Sequence, residues 1–354
     1  MKKYVLITGS NGLVGSESVK FFIKKNFFVI GVDNNQRKKL FGDIADTSWI
    51  REDLKEKDKY YHYNSDISHY EKLKKIFLKF NKKIKLIIHC AAQPSHDWAY
   101  KNPLLDFKIN SVGTINLLEL FRKYCPKAKF IFTSTNKVYG DNPNKLKFIE
   151  KKERYELKKN HQYFKGIKES MSIDECTHSL FGVSKAYADL AVQEYGKNFK
   201  LNTIVFRAGC ITGPYHSGAK LHGFLSYLVK SCLKFKKYNL IGYKGKQVRD
   251  NIHSYDLVKC FWEYFKKSKY KGEIYNIGGG RYSNCSILEA INYIEKKLKF
   301  KISKKILKKP RTGDHQWYIT DNSKFKKHYP NWKQTYNIDK ILDEIIDFEL
   351  NKKF

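Results

Sequence analysis

Close to the N-terminus, Thr8-Gly9-Ser10-Asn11-Gly12-Leu13-Val14-Gly15 joins a short apolar run, Tyr4–Thr8, to an amphipathic stretch over 13–25. Glycines at this spacing let a strand turn sharply into a helix, let the backbone approach an anion, and let the helix pack against the strand. The unpaired N–H groups of the helix start then face a pyrophosphate. Eighteen residues beyond Gly15, Asp33 ends a second apolar run over 27–33. A carboxylate there holds ribose hydroxyls and repels a 2′-phosphate, and Asn34 and Asn35 rather than arginine come next. The pattern therefore calls for a parallel α/β sheet and a dinucleotide, NAD in preference to NADP.

The alternation continues. A helix is expected over 71–80, a strand over 86–89, a helix over 104–124 and a strand over 129–133. A helix over 184–198 then leads into a strand over 202–207. Such alternation means a parallel sheet covered by helices on both faces. Beyond Arg207 the rhythm breaks into Gly- and Pro-punctuated segments, with helices expected near 223–235, 256–266, 286–298 and 338–349. At 354 residues the chain has room for about two domains. The expected division is 1–210, with part of 246–275 returning to it, against a smaller, discontinuous substrate domain from 211–245 and 276–354. The connections 34–60 and 141–177 exceed the usual length. The second, which holds Tyr163 and Met171, is either a lid or surface decoration.

The formal net charge of +34 raises the question of nucleic acid. Only eight of the 69 basic residues are arginine, and the lysines are spread along the whole chain. Base and phosphate readers favour the arginine fork, so no nucleic-acid partner is expected. Seven cysteines, never closer than 22 residues, form no Cys-x-x-Cys pair and no zinc spacing. Reduced thiols and no metal are the expectation. No stretch approaches the roughly 18 apolar residues of a membrane span, and the N-terminal apolar run is too short for a signal peptide. A cytoplasmic protein with no membrane contact is expected.

Further motifs follow in order: Asp66-Ile67, His89-Cys90-Ala91-Ala92-Gln93, Asn110-Ser111-Val112-Gly113-Thr114 and Thr133-Ser134-Thr135-Asn136-Lys137-Val138-Tyr139-Gly140. After these come Phe206-Arg207, Gly213-Pro214, Arg249-Asp250-Asn251-Ile252-His253 and Tyr275-Asn276-Ile277-Gly278. Nearly end to end, the chain resembles the extended short-chain dehydrogenases/reductases, specifically their NAD-dependent nucleotide-sugar epimerases and dehydratases. The resemblance implies a Rossmann-type doubly wound sheet and a bound NAD. It places Gly9, Asn11, Gly12, Leu13, Val14, Gly15, Asp33, Asn34, Asn35, Asp66, Ile67, Ala91, Ala92, Gln93, Asn110, Thr133 and Lys185 around the cofactor. It makes Thr135 the group that hydrogen-bonds the reacting hydroxyl, and Arg249 the partner of the substrate's diphosphate. Ser95, His96, Asn136, Arg207 and His216 are the other expected substrate contacts. It also implies a homodimer or homotetramer.

One match fails. Where the family has Tyr-x-x-x-Lys, this chain reads Phe181-Gly182-Val183-Ser184-Lys185, so the lysine is kept and the phenol is lost. Losing a positioned acid–base group costs about 10²–10⁴-fold in rate. His178, three residues before Phe181, and Tyr163, from the long insertion, are the candidate replacements. Asn136 and Lys137 stand where the family's dehydratases carry an Asp-Glu pair, which argues against dehydration. Segments 93–99, 170–174 and 242–250 look like the branch that inverts C2 of CDP-paratose and CDP-tyvelose. The expected function is thus epimerisation of a nucleoside-diphosphate sugar through a transient ketone. The alternatives are another nucleotide-sugar epimerase or dehydrogenase, or a catalytically weak sugar-nucleotide-binding protein.

Overall fold

The computed structural model describes residues 2–218, 223–308 and 313–351. Its centre is a seven-stranded, wholly parallel sheet. The strands are β1 (Tyr4–Thr8), β2 (Phe28–Val32), β3 (Tyr60–Tyr63), β4 (Ile84–His89), β5 (Lys129–Thr135), β6 (Asn202–Ala208) and β7 (Glu273–Ile277), in the order β7-β6-β5-β4-β1-β2-β3. The inner strands β1, β2, β4, β5 and β6 read as largely apolar runs because both faces are buried. One face packs Val5, Ile7, Leu86, Ile131 and Phe206 against α1 (Leu13–Lys24) and a later helix, Ser254–Lys267. The other packs Leu6, Ile87 and Phe130 against helices that include α2 (Gly113–Tyr124) and α3 (Leu180–Lys197). The strand order reverses between β1 and β4. In a doubly wound sheet that is where a crevice opens at the carboxyl ends of the strands.

The doubly wound α/β expectation is borne out, with local departures. β3 was not anticipated: Tyr60-Tyr61-His62-Tyr63 shows no alternation of apolar and polar residues, yet it pairs in register with β2. The helix expected over 104–124 is broken. A short helix, Pro103–Phe107, passes through a π turn, Lys108–Val112, before α2 begins. The π turn places Asn110 to bond the backbone of Gln93. Helix α3 starts at Leu180, four residues before the sequence indicates, because the Ser179 hydroxyl caps it by accepting the Gly182 N–H at 3.1 Å. Gly182 weakens the helical signal there without breaking the helix.

Helices Phe224–Phe235, Ile287–Leu298 and Ile338–Asn351 bury a separate cluster that includes Leu228, Ile291 and Ile345. Phe325, Tyr329 and Trp332, although late in the chain, join the core of the main sheet beside Phe206 and Tyr275. The 141–177 insertion packs Leu157, Ile167 and Met171 with Val138, Trp317 and Ile319. It contributes nothing to the wall of the cavity described below, so its packing is that of a brace rather than a lid. No described helix is long and apolar enough to cross a membrane.

Candidate active site

A cavity of about 470 Å³ opens at the β1/β4 switch point and runs without a break from the glycine loop to the end of β5 and on to Arg249. Gly9, Gly12, Leu13, Val14 and Gly15 form its floor. Gly9 has φ +68°, and a Cβ there would stand 2.8 Å from the Ala91 nitrogen. Only glycine fits both the turn and the close approach to the chain after β4. Asp33, at the end of β2, accepts the Asn11 N–H at 3.0 Å and the Asn35 N–H at 2.7 Å. Burial raises its carboxyl above the ordinary range, and those two N–H groups oppose the shift. Asn34, Asp66 and Ile67 continue the wall, with the Asn34 amide donating to Asp66 at 3.2 Å.

Ala91 and Ala92 line the cavity after β4. Behind them His89 is buried between β1 and α2. The Thr114 hydroxyl donates to the Asn110 carbonyl and so takes the His89 Nε2 proton, leaving Nδ1 to accept from Thr8. Burial and the nearby Lys185 charge hold this imidazole neutral, so its role is to clip two strands and a helix together.

At the far end stand Thr133, Thr135, Asn136, Lys137, Phe181 and Lys185. Thr135 accepts the Lys137 N–H at 3.2 Å, starting the tight turn Asn136–Tyr139. Lys185 lies one helical turn beyond Phe181, donates to the Thr133 carbonyl at 2.9 Å and sits over the Phe132 ring. Burial pushes its amine down to about 8, against the pull of Asp189, Cys90 and Asp106. His96 abuts the Phe181 ring edge-on at 5.1 Å between centroids, and its Nδ1 lies 2.6 Å from the Ser179 hydroxyl. His216 and Arg249 complete the wall, and Arg249 is paired with Asp314.

Not every residue singled out in the sequence reaches the cavity. The Asn11 side chain is buried beside Tyr60, and Asn35 bonds Asp46 and Thr47 to hold the loop after β2. Gln93, Asn110 and Asp106 bond one another just behind the wall. Ser95 caps the short helix that begins at His96. Arg207 is spent in the core: two of its nitrogens bond Asp189 at 3.0 Å and a third bonds the Tyr139 hydroxyl.

The two proposed substitutes for the phenol also lie off the cavity. His178 precedes the start of α3, so it shares no helical face with Phe181, and its Nε2 donates to the Val138 carbonyl at 2.8 Å. Tyr163 packs into the apolar cluster of the insertion. Conversely, the wall includes Arg37, Cys210, Tyr215, Gly313 and Asp314, which no local motif marks. Arg37 donates to the Ser217 carbonyl at 2.7 Å.

The glycine cradle, the helix start above it and the Asp33 carboxylate fit a dinucleotide. Comparison with known proteins identifies which one. The model of the NAD dependent epimerase/dehydratase family matches residues 5–278. CDP-paratose 2-epimerase of Salmonella typhi is 31% identical over 82% of this chain and 83% of its own length. A UDP-glucuronate 4-epimerase of Thermodesulfobacterium geofontis is 26% identical over 98% of this chain and 95% of its own. Among solved structures, UDP-glucuronic acid 4-epimerase of Bacillus cereus, crystallised with UDP-glucuronic acid and NAD, superposes with a TM-score of 0.77 at 22% identity and 98% coverage of both chains. The chain therefore belongs to the NAD-dependent epimerase/dehydratase family and is an NAD-dependent enzyme.

Proposed function

We propose that the protein epimerises a nucleoside-diphosphate sugar, with NAD retained through the cycle. The observation that carries this reading is the continuity of the cavity. One hollow joins the dinucleotide cradle to Thr135, Lys185 and Arg249, so a sugar held by its diphosphate lies beside the reactive end of the cofactor. A bound NAD⁺ would supply reversible hydride transfer, so that a ring carbon could be oxidised to a ketone and reduced again from the opposite face. Thr135 hydrogen-bonds the reacting oxygen and Lys185 holds the nicotinamide ribose. Arg249 exchanges Asp314 for the diphosphate through charge-assisted bonds. The cytidine nucleotide and the C2 position are proposed on the likeness to the Salmonella enzyme. Residues 1–210 and the returning 246–275 would then form the cofactor domain, from which Thr135 and Arg249 reach the sugar nucleotide, and 211–245 and 276–354 the sugar-nucleotide domain.

The protein should act as a homo-oligomer. Leu180, Val183, Tyr187 and Leu190 repeat every three to four residues along α3 and are 44–50% exposed. That is an apolar stripe for a second copy of the chain. Phe181 in the cavity wall favours one alternative, a weakly active sugar-nucleotide binder.

The test is a panel of CDP-, UDP- and dTDP-sugars in D₂O, followed by NMR without added NAD. An epimer should form with no deuterium at the inverted carbon, because the hydrogen travels as hydride. Steady NADH formation would mean net oxidation instead. No turnover by wild type together with turnover by Phe181→Tyr would mean a binding protein.

A further inference from the structure

The nucleotide-sugar reading needs a group that takes and returns a hydroxyl proton, and Phe181 has no titratable atom. In the same wall, Lys137 lies two residues beyond Thr135 at the turn that ends β5, half-buried and open to the cavity. Its Nζ donates to the Gly313 carbonyl at 2.9 Å and reaches His315 Nδ1 at 3.4 Å. The other His315 nitrogen, Nε2, bonds the Gly140 carbonyl at 2.8 Å. A carbonyl only accepts, so Nε2 carries the proton and Nδ1 is a bare acceptor. Burial, with the Lys137 and Arg249 charges, keeps that ring neutral.

The valences then match the amine. A neutral –NH₂ has two N–H bonds and one lone pair. Gly313 O and His315 Nδ1 take the two N–H bonds and leave the lone pair. The groups that face Lys137 are Arg249, Asp314, Cys210 and His315, with His96 beside Gly313. Asp314, the carboxylate among them, is engaged by Arg249. Burial, helped by Arg249 and opposed by Asp314 and Cys210, brings the Lys137 amine down to about 8. An amine in that range exchanges protons at working pH and so is able to do acid–base work.

We propose that Lys137, resting on the nucleotide-sugar reading above, is the proton acceptor and donor for the sugar hydroxyl at the carbon that is oxidised. As that carbon loses its hydrogen as hydride to the nicotinamide, the O–H bond breaks. Its electron pair becomes the second bond of the carbonyl, and the proton passes to the Nζ lone pair. On the return, hydride reaches the other face of the carbonyl carbon and the ammonium gives its proton back to oxygen. His315 is a positioning residue that holds the amine with its lone pair free.

The experiment uses the full chain with CDP-tyvelose as probe and four proteins: wild type, Lys137→Met, Lys137→Arg, and Lys137→Met with Phe181→Tyr. NAD content should be equal in all four. Lys137→Met and Lys137→Arg should each lose about 10²–10⁴-fold in kcat. The added phenol in the double variant should recover at least about tenfold of that loss, because it restores a proton-transferring group. Trace acetylation with acetic anhydride, read by peptide mass spectrometry without any sugar nucleotide, should give Lys137 a half-point near 8. Surface lysines should react near their ordinary value, about 10.4. Wild-type-like turnover in Lys137→Met, or a half-point near that of surface lysines, overturns the assignment while the epimerase reading stands. A wild type inert on the probe and on the whole sugar-nucleotide panel overturns both.

Discussion

Gly15 sits where the first turn of α1 crosses the glycine loop, and a Cβ there would lie 2.0 Å from the Gly9 carbonyl oxygen. That contact is with backbone, so Gly15→Ala must push α1 away from the cradle. Overpacking of this kind costs about 1–3 kcal/mol. The variant should melt lower and release most of its NAD on dialysis, as read by thermal denaturation and by nucleotide content. A variant that keeps both would mean that the cradle is not the dinucleotide site.

Lys137 makes a second prediction at the same scale. Its amine titrates near 8 when folded, against about 10.4 in the unfolded chain. Between those values the unfolded state binds more protons, so this residue makes stability rise with pH there, and below 8 it is a constant penalty. Lys137→Met should therefore raise the urea midpoint at pH 7 and flatten its rise towards pH 10.

The glycine loop and Asp33 were legible in the sequence because the chemistry lies within one strand–turn–helix unit. The proton-handling corner was not. Lys137 and His315 are 178 residues apart, and His178, three residues before Phe181, turns to the Val138 carbonyl instead. Short-range spacing carries no trace of either fact.

Among the elements, α3 is tied to the sheet by one charged pair. Asp189 lies one turn beyond Lys185, and both of its oxygens meet the Arg207 guanidinium of β6 at 3.0 Å, while Ser134 of β5 donates to it at 2.6 Å. Asp189→Asn leaves a buried guanidinium without its counter-charge, which costs about 3–5 kcal/mol. Urea unfolding should show that loss, and the kcat for the probe should fall as well, because Phe181 and Lys185 ride on the same helix. An unchanged unfolding midpoint would contradict the assignment of Arg207 to the core rather than to the sugar nucleotide.

Periodicity located the long helices well but not their junctions. The π turn at 108–112 depends on Asn110 meeting distant Gln93, and the start of α3 on a local Ser179 cap whose signal Gly182 weakens. β3 escaped notice for a related reason. Four aromatic-rich residues gain strand character only from the edge that β2 offers them.

At the scale of the whole molecule, the +34 charge is carried by lysines dispersed over the surface, while in the cavity wall Arg37, Lys137, Lys185 and Arg249 are matched by Asp33, Asp66, Asp97 and Asp314. Attraction for an anionic sugar nucleotide is therefore local to the Lys137, Lys185 and Arg249 end, and raised salt should weaken that binding. The apolar stripe on α3 gives the assembly prediction. Val183→Glu with Leu190→Arg should shift the protein to a monomer in sedimentation velocity and leave its NAD content intact. An unchanged sedimentation coefficient would rule out α3 as the contact.

The central claim is that oxidation and reduction occur on one retained cofactor, and the amount of cofactor tests it most directly. Purified protein, dialysed and then denatured, should release close to one NAD per chain, as counted by mass spectrometry of the freed nucleotides. A protein that proves essentially empty, and that forms NADH steadily from sugar nucleotides once NAD is added, would contradict a redox-neutral cycle and establish a dehydrogenase that exchanges its cofactor.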